Sequence, residues 1–282
     1  MFQVASRPQA HPFPSMGSLA DELPVYSSPS ALVHLPRTLQ KPSYKEVNKD
    51  VLASIEPGLR DVPVEYVKRG IAQQAQEMLA AISAVGASVP KSVPRASIPS
   101  AVPATISPSA AHVCPTHILA IASSSQAGAS PSIALIPTHQ IVLAAHCANI
   151  PSFPKPSPAS DSGRVTIPIV PLTVPSASTF PLLHAYLYTK RLDALLTNLL
   201  PIPLQLLPSA TPTPDELKRA SHHLASTAMF SADHLTRYVS LVHSLWKNIV
   251  ALGVFEKELW QALDLAWEVV VGAVHIANGA RQ

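Results

Sequence analysis

Charge is scarce in this chain. Asp, Glu, Lys and Arg make up 13% of its 282 residues, beside 47% hydrophobic ones, and the net charge is +3. That balance excludes a chain disordered from end to end, because such chains are highly charged and poor in apolar side chains. The basic residues do not gather: Lys68-Arg69, Lys190-Arg191 and Lys218-Arg219 are only pairs. A nucleic-acid surface needs a concentrated basic footprint, so direct DNA or RNA binding is disfavoured. Cysteine is limited to Cys114 and Cys147, and no secretory apolar segment opens the chain, which fits the cytosol or nucleus. The uncharged apolar stretch at 269–277 is too short to span a bilayer, so no membrane association is expected. Phosphate-cradling G-x-x-x-x-G-K-[ST] and G-x-G-x-x-G motifs are missing, as is the G-x-S-x-G nucleophile elbow.

Glycine is also scarce, with nine residues against thirty prolines. Prolines in such numbers imply many extended connections. Residues 1–30, rich in Pro, Ser and Ala, read as a flexible tail. "SYKEVNKDVLASI" (43–55) reads as a short helix with Ser43 as its cap. In residues 63–86, Val64, Val67, Ile71, Ala75, Met78, Leu79 and Ile82 form one stripe at helical spacing, opened by Pro63 and stopped by Gly86. The run 87–111 carries proline every few residues and reads as an extended linker.

Two apolar runs, 116–123 and 132–139, suit a β-hairpin. A helix over 141–150 follows. "RVTIPIVPLTV" (164–174) is β-rich, but Pro168 and Pro171 confine it to an edge or to two short strands. Helices are expected over 178–189, capped by Ser178, and over 192–200. Three more are expected from Asp215 to about Phe230, over 233–252 and over 255–278. The last two suit an antiparallel pair packed on the strands, with Trp246 on the inner side of the first.

Candidate chemistry is sparse. His112, Cys114 and His117, with His139, His146 and Cys147, offer atom types that zinc accepts, in a spacing unlike the common zinc fingers. The competing reading is ordinary His and Cys around a small sheet. Ser28, Ser107, Ser157, Thr211 and Thr213 each precede proline and are candidates for proline-directed phosphorylation, against the background of chance in a Pro/Ser-rich chain.

Two motifs carry a resemblance. "HQIVLAAHC" (139–147) is similar to the H-x-x-V-L-A-A-x-S pattern of the BTB/POZ fold, with Cys147 where serine is usual. "FPLLHAYLYTKRL" (180–192) resembles its F-x-x-L-L-x-Y-L-Y-T-G pattern through Phe180, Leu183, Tyr186, Leu187, Tyr188 and Thr189. The Phe-x-Asp-Val-like start of the first strand is absent, which leaves a BTB-type homodimer open, and the element used for cullin binding is absent too. Over about 30–281, "LPRTLQKPSYKEVNKDVLASIEPGLRDVP", "PLTVPSASTFPLLHAYLYTKR" and the Trp-containing end resemble the clampless proteins of basidiomycete fungi. That resemblance implies a non-enzymatic regulator of sexual development. It would serve clamp cell formation in the dikaryon, downstream of homeodomain mating-type factors, in the nucleus or the cytoplasm.

The expected fold is therefore α+β. A BTB/POZ-like sheet with helices (112–200) is flanked by N-terminal helices (31–86), the linker (87–111) and a C-terminal helical region (201–282). No cofactor is implied, and the expected partner is a protein such as a homeodomain or other transcription factor. The expected contact residues are the solvent-facing His184, Tyr188, Lys190 and Arg191, with Tyr188 the favoured anchor because aromatics are enriched at interfaces. Two other readings stand beside this one: a BTB-type substrate adaptor for a cullin ubiquitin ligase, and a metal-dependent enzyme built on the His/Cys group.

Overall fold

The structure is a computed structural model, and it describes residues 35–106, 108–124, 132–156, 164–209 and 211–279. The expected tail and the Ser28, Ser107 and Ser157 sites lie outside the described residues. From Leu35 onward the chain forms one unit of α+β architecture.

Helix α1 (Lys49–Ile55) starts later than its sequence implies. Asn48, not Ser43, is the cap, and its side chain accepts from the Asp50 N–H at 2.9 Å. Helix α2 (Val64–Ser88) buries Val67, Ile71, Ala75, Met78, Ala81 and Val85 on the expected stripe. Gly86 lies inside it; the stop comes at Val89, held out of helical conformation by Pro90.

The expected linker is extended, as its prolines require, but it separates nothing. It supplies both edges of a five-stranded sheet, β1 (Ser92–Pro94) and β2 (Ala101–Thr105). An edge strand has one side without ladder bonds, so proline's missing N–H costs least there. The hairpin is β3 (His117–Ser123) and β4 (Ser132–Thr138), followed by α3 (Gln140–His146) and then β5 (Arg164–Val174). The strand order is β1-β4-β3-β5-β2. β5 is one continuous strand away from the edge, contrary to expectation, and its pairing explains how the prolines fit. Residues 164–168 pair antiparallel with β2, whereas 169–174 pair parallel with β3. Each half has one ladder partner, so each proline has a side where no N–H is required.

The sheet buries both faces. Leu119, Ile121, Val170, Leu172 and Val174 face the helices. Ile118, Ala120, Ile133, Leu135, Val165, Ile167 and Ile169 form a second core with Val85, Val89, Ala104 and Ile106. That second core is closed by the end of α2 and by the curled proline-rich edge.

Five helices complete the fold: α4 (Phe180–Thr189), α5 (Leu192–Leu199), α6 (Pro214–Thr227), α7 (Ala232–Leu252) and α8 (Lys257–Gly279). Helix α6 opens with a capping box in which Thr213 and Glu216 satisfy each other's backbone N–H. Helix α8 packs on α6, α7 and α5 more than on strands. It is long and apolar enough to cross a bilayer, yet Leu259, Leu263, Ala266, Trp267, Val270 and Ala273 are buried against its neighbours. The α6–α8 crossing is close: a Cβ on Gly272 would lie 2.5 Å from Ser221 Oγ. Gly272→Ala is expected to destabilise the protein by about 1–3 kcal/mol through overpacking. Adding Ser221→Ala should recover part of that loss in urea unfolding, and no recovery would mean that this contact does not set the helix spacing.

Candidate interaction site

The end of α4 carries the four expected contact residues, and the structure corrects two of them. Tyr188 is 1% exposed and His184 is 6% exposed, so neither faces solvent. Both belong to a buried polar knot. His139, ending the β4 connection, sets its geometry. Its Nε2 lies 2.9 Å from the Val113 carbonyl, which only a donor can satisfy, so the proton sits on Nε2. Its Nδ1 is then an acceptor, 3.0 Å from the Tyr188 hydroxyl. That hydroxyl donates to Nδ1 and accepts from the His139 backbone N–H at 3.0 Å. Thr138 Oγ1 lies 2.9 Å from His184 Nε2 and 3.4 Å from the Tyr188 hydroxyl. The histidine of the first sequence motif and a tyrosine of the second are thus direct partners. Burial, with His139 nearby, lowers the His184 pKa to about 3, so its ring is neutral at physiological pH.

Lys190 is half-buried and closes α4 with φ 53° and ψ 20°. Glycine is usual at such a left-handed position, because a Cβ costs about 1 kcal/mol there. The ammonium of Lys190 reaches Glu256 Oε1 at 2.7 Å, and His146 Nδ1 contacts the same oxygen at 2.5 Å. Burial alone would raise the Glu256 pKa, but the His146 hydrogen bond and the Lys190 charge outweigh it and hold the carboxyl at about 2. Burial lowers the His146 pKa, so Lys190 is the cation that balances Glu256. With Nδ1–H donating to Glu256, His146 Nε2 stays buried without a partner. This group ties α3, α4 and the start of α8 together. Only Arg191 projects as expected: it is exposed and makes a bidentate pair with Asp193 at 2.6 and 3.2 Å.

The six zinc-type side chains do not converge. His112 is exposed, 3.6 Å from Glu77. The His117 ring sits between Thr116 Oγ1 and the Pro154 carbonyl, and the Cys114 thiol contacts the Pro115 carbonyl. His139 and His146 are engaged as above, and Cys147 is buried, with its thiol pKa pushed up by burial to about 12. Among the described residues, no group of three or more His, Cys, Asp or Glu side chains is arranged to hold a metal ion.

A second site was missed from sequence. All three tryptophans, with His243, line the outer side of α7 and α8 beneath residues 35–45. Trp246 is half-buried, not a core side chain, and donates its indole N–H to the Gln40 carbonyl at 2.9 Å. Trp267 donates to the Pro36 carbonyl at 3.0 Å. The available signal was tryptophan's polar handle in a chain with only 5% aromatic residues.

Two outcomes are expected for the buried knot. Tyr188→Phe strands the His139 N–H and removes the donor to Nδ1, so it should cost about 1–3 kcal/mol in urea unfolding. A neutral result would mean that water replaces the hydroxyl. The second concerns acid. The unfolded chain protonates His184 near 6.5, whereas the folded protein resists until about 3. Stability is therefore full above 6.5 and falls as pH drops through that window. His117 and His139, also lowered by burial, act in the same direction, and Glu256 adds a further loss between 4.5 and about 2. His184→Asn should flatten the upper part of this profile, and an unchanged slope would remove His184 as its source.

The comparisons with known proteins match the chain in two segments, both inside the one unit that begins at Leu35. A family model described as the Clampless protein 1 N-terminal domain matches residues 42–175, from just before α1 to the end of β5. A second, the Clampless protein 1 C-terminal domain, matches residues 193–282, covering α5 to α8. The chain is similar to Clampless protein 1 of two strains of Cryptococcus neoformans var. neoformans serotype D, JEC21 and B-3501A. Each is 28% identical over 126 residues, 45% of this chain and 24% of the relative. The alignment thus spans about a quarter of those relatives' length. No solved structure matches. With both halves of the pattern present in order, the chain belongs to the clampless protein family.

Proposed function

We propose that this protein is a non-enzymatic regulator of fungal sexual development that acts by protein contact, in the formation of clamp cells in the dikaryon. The observation that carries this reading is the match to both domains of the clampless family. The geometry supports it in a second way. The side chains that sequence reasoning offered for chemistry, His139, His184, Tyr188 and His146, are committed to holding elements together. The hairpin β3-β4, the helix α3, the parallel β5 beside β3 and the helix α4 follow the order of a BTB/POZ-like core, a scaffold suited to protein contact. The proposed partner is a homeodomain mating-type protein or another transcription factor, and the proposed compartment is the nucleus. Arg191, paired with Asp193 at the exposed α4–α5 junction, is the contact candidate that remains.

Affinity purification from mated dikaryotic cells tests this, with Arg191→Glu and the charge-swapped Arg191→Glu, Asp193→Arg protein beside the wild type. A transcription factor should be recovered with the wild type and lost with both variants, and a deletion strain should form no clamp cells. Recovery of a cullin instead would move the protein to the adaptor reading. Normal clamp cells in the deletion strain would sink the developmental role.

A further inference from the structure

Residues 35–45 cross the outer side of α7 and α8 without helix or strand. Pro36 and Pro42 bracket the strap and hold Leu35 and Lys41 away from helical backbone. What fixes it is mostly its main chain. Trp267 and Trp246 donate their indole N–H groups to the carbonyls of Pro36 and Gln40. His243 sits between the two indoles, stacked on Trp246 at 5.1 Å and 15° and tilted against Trp267 at 6.3 Å, so both donors are held in place. Beyond these, Leu39 is buried, and Lys41 pairs with Asp264 at 2.7 Å while lying 5.7 Å from the Trp260 ring. A shallow pocket of about 260 Å³ opens beside the strap, lined on the helix side by Asp264, Trp267 and Glu268.

Aromatic side chains whose N–H groups read the carbonyls of a proline-bracketed segment recur as a way of binding extended peptides. Such a reader tolerates sequence, because carbonyls are common to all residues. Here the additional selectivity is for a cation, which Asp264, Glu268 and the Trp260 face all favour. The strap is also lightly held. Arg37, Thr38, Gln40 and Lys41 are exposed, and the Lys41–Asp264 pair is 48% and 37% exposed, so it contributes little. Half-buried Leu35, the Tyr44–Phe255 ring contact at 5.4 Å and the exposed Lys45–Asn149 hydrogen bond at 2.7 Å add to the two indole bonds. With Leu39 its one buried side chain, the segment still lies toward the low end of local stability.

The geometry points to a peptide-binding groove on α7 and α8, formed by Trp246, His243, Trp267, Trp260 and Asp264. Its occupant is a proline-bracketed, lysine- or arginine-bearing segment of a partner protein, which displaces the strap of residues 35–45. The strap is the groove's resident competitor, so partner binding and strap release are one exchange. This inference does not rest on the developmental role, and the test below uses only the purified full chain.

The probe is a fluorescein-labelled peptide of residues 35–45, LPRTLQKPSYK, read by anisotropy. Indole N–H resonances report whether the strap is seated. Leu39→Asp should release the strap, and the double variant Leu35→Asp, Leu39→Asp serves if the single change does not. The peptide should bind the released protein at least ~10-fold more tightly than the wild type, because a tethered competitor acts at a millimolar effective concentration. Trp267→Phe in the released background should weaken binding ~5-fold, as loss of one indole bond of ~1 kcal/mol implies. A peptide with Lys41→Glu should also bind more weakly than the native peptide, because Asp264 and Glu268 then repel it. Equal binding to wild-type and released proteins, no saturable binding to the released one, or indifference to Trp267→Phe would each overturn the proposal. So would indole resonances that stay in place in the double variant. A wild-type dimer that dissociates on Leu39→Asp would make the occupant a second copy of this chain and overturn the partner reading.

Discussion

The Tyr188 hydroxyl is the point on which the rest of the structure turns. It lies 3.0 Å from both the His139 main-chain N–H and the His139 ring, joining the last helical turn of α4 to the junction of β4 and α3. In a chain this poor in charge, few groups are available to satisfy one another inside, and an unpaired buried donor costs about 1–3 kcal/mol. The solution is reciprocal. His139 gives its ring proton to Val113, which leaves its other nitrogen able to accept from Tyr188. Had the proton been on Nδ1, the bare Nε2 would face the Val113 carbonyl, acceptor against acceptor, and Val113 would lose its partner. One tautomer therefore fixes the orientation of sheet, helix and preceding loop together.

That knot ties the N-terminal family match to α4, the helix between the two matches. The N-terminal match ends with β5 and the C-terminal match begins inside α5, so α4 lies between them. Tyr188 and His184 bind its inner side to the sheet. At the other end, fully buried Asn248 of α7 accepts from the Ser176 N–H at 2.9 Å. It also donates to the Ser176 carbonyl at 2.7 Å and to Thr179 Oγ1 at 2.9 Å. The orphan N–H groups that open a helix are usually met by its own cap, yet Thr179 makes no side-chain cap bond here. A side chain from another helix instead secures the loop that feeds α4. Lys190 then trades backbone strain at the helix end for an ion pair with Glu256. Helix α4 is held at both ends by residues outside it, which is how the two halves come to share one core.

Helical periodicity was legible because burial enforces it: the α2 stripe and the α6–α8 boundaries lie within a few residues of what spacing and caps implied. The proline-rich segment was half legible. Proline dictates extension, but whether an extended segment stays solvated or finds an edge depends on where a free edge lies, and β5 supplies one only after folding. The exposure expected of Tyr188 and His184 was wrong for a related reason. An aromatic and a histidine near a helix end look alike in sequence whether they face water or buried polar partners, and the deciding groups, the Thr138 hydroxyl and the His139 N–H, are about fifty residues away. The strap was hidden because its partners are over two hundred residues distant and are bound through main-chain carbonyls, which carry no sequence signature.

The contrast between knot and strap separates structure from function here. Polar groups of the knot have partners on the same rigid elements, are sealed from water and are indispensable to packing, so an external ligand could reach them only by unfolding the core. The groups beneath the strap are equally satisfied, but by a segment with one buried side chain and mostly exposed residues. Exchange there needs only an equivalent set of carbonyls, because binding free energy can be transferred between ligands that offer the same acceptors. A chain with little charge and few aromatics has placed all three tryptophans along that single exchangeable contact, two through their indole N–H groups and the third beneath the Lys41 ammonium. The face that can change partners is thus the one where the chain's three tryptophans are covered by a mostly exposed strap and not by a packed element.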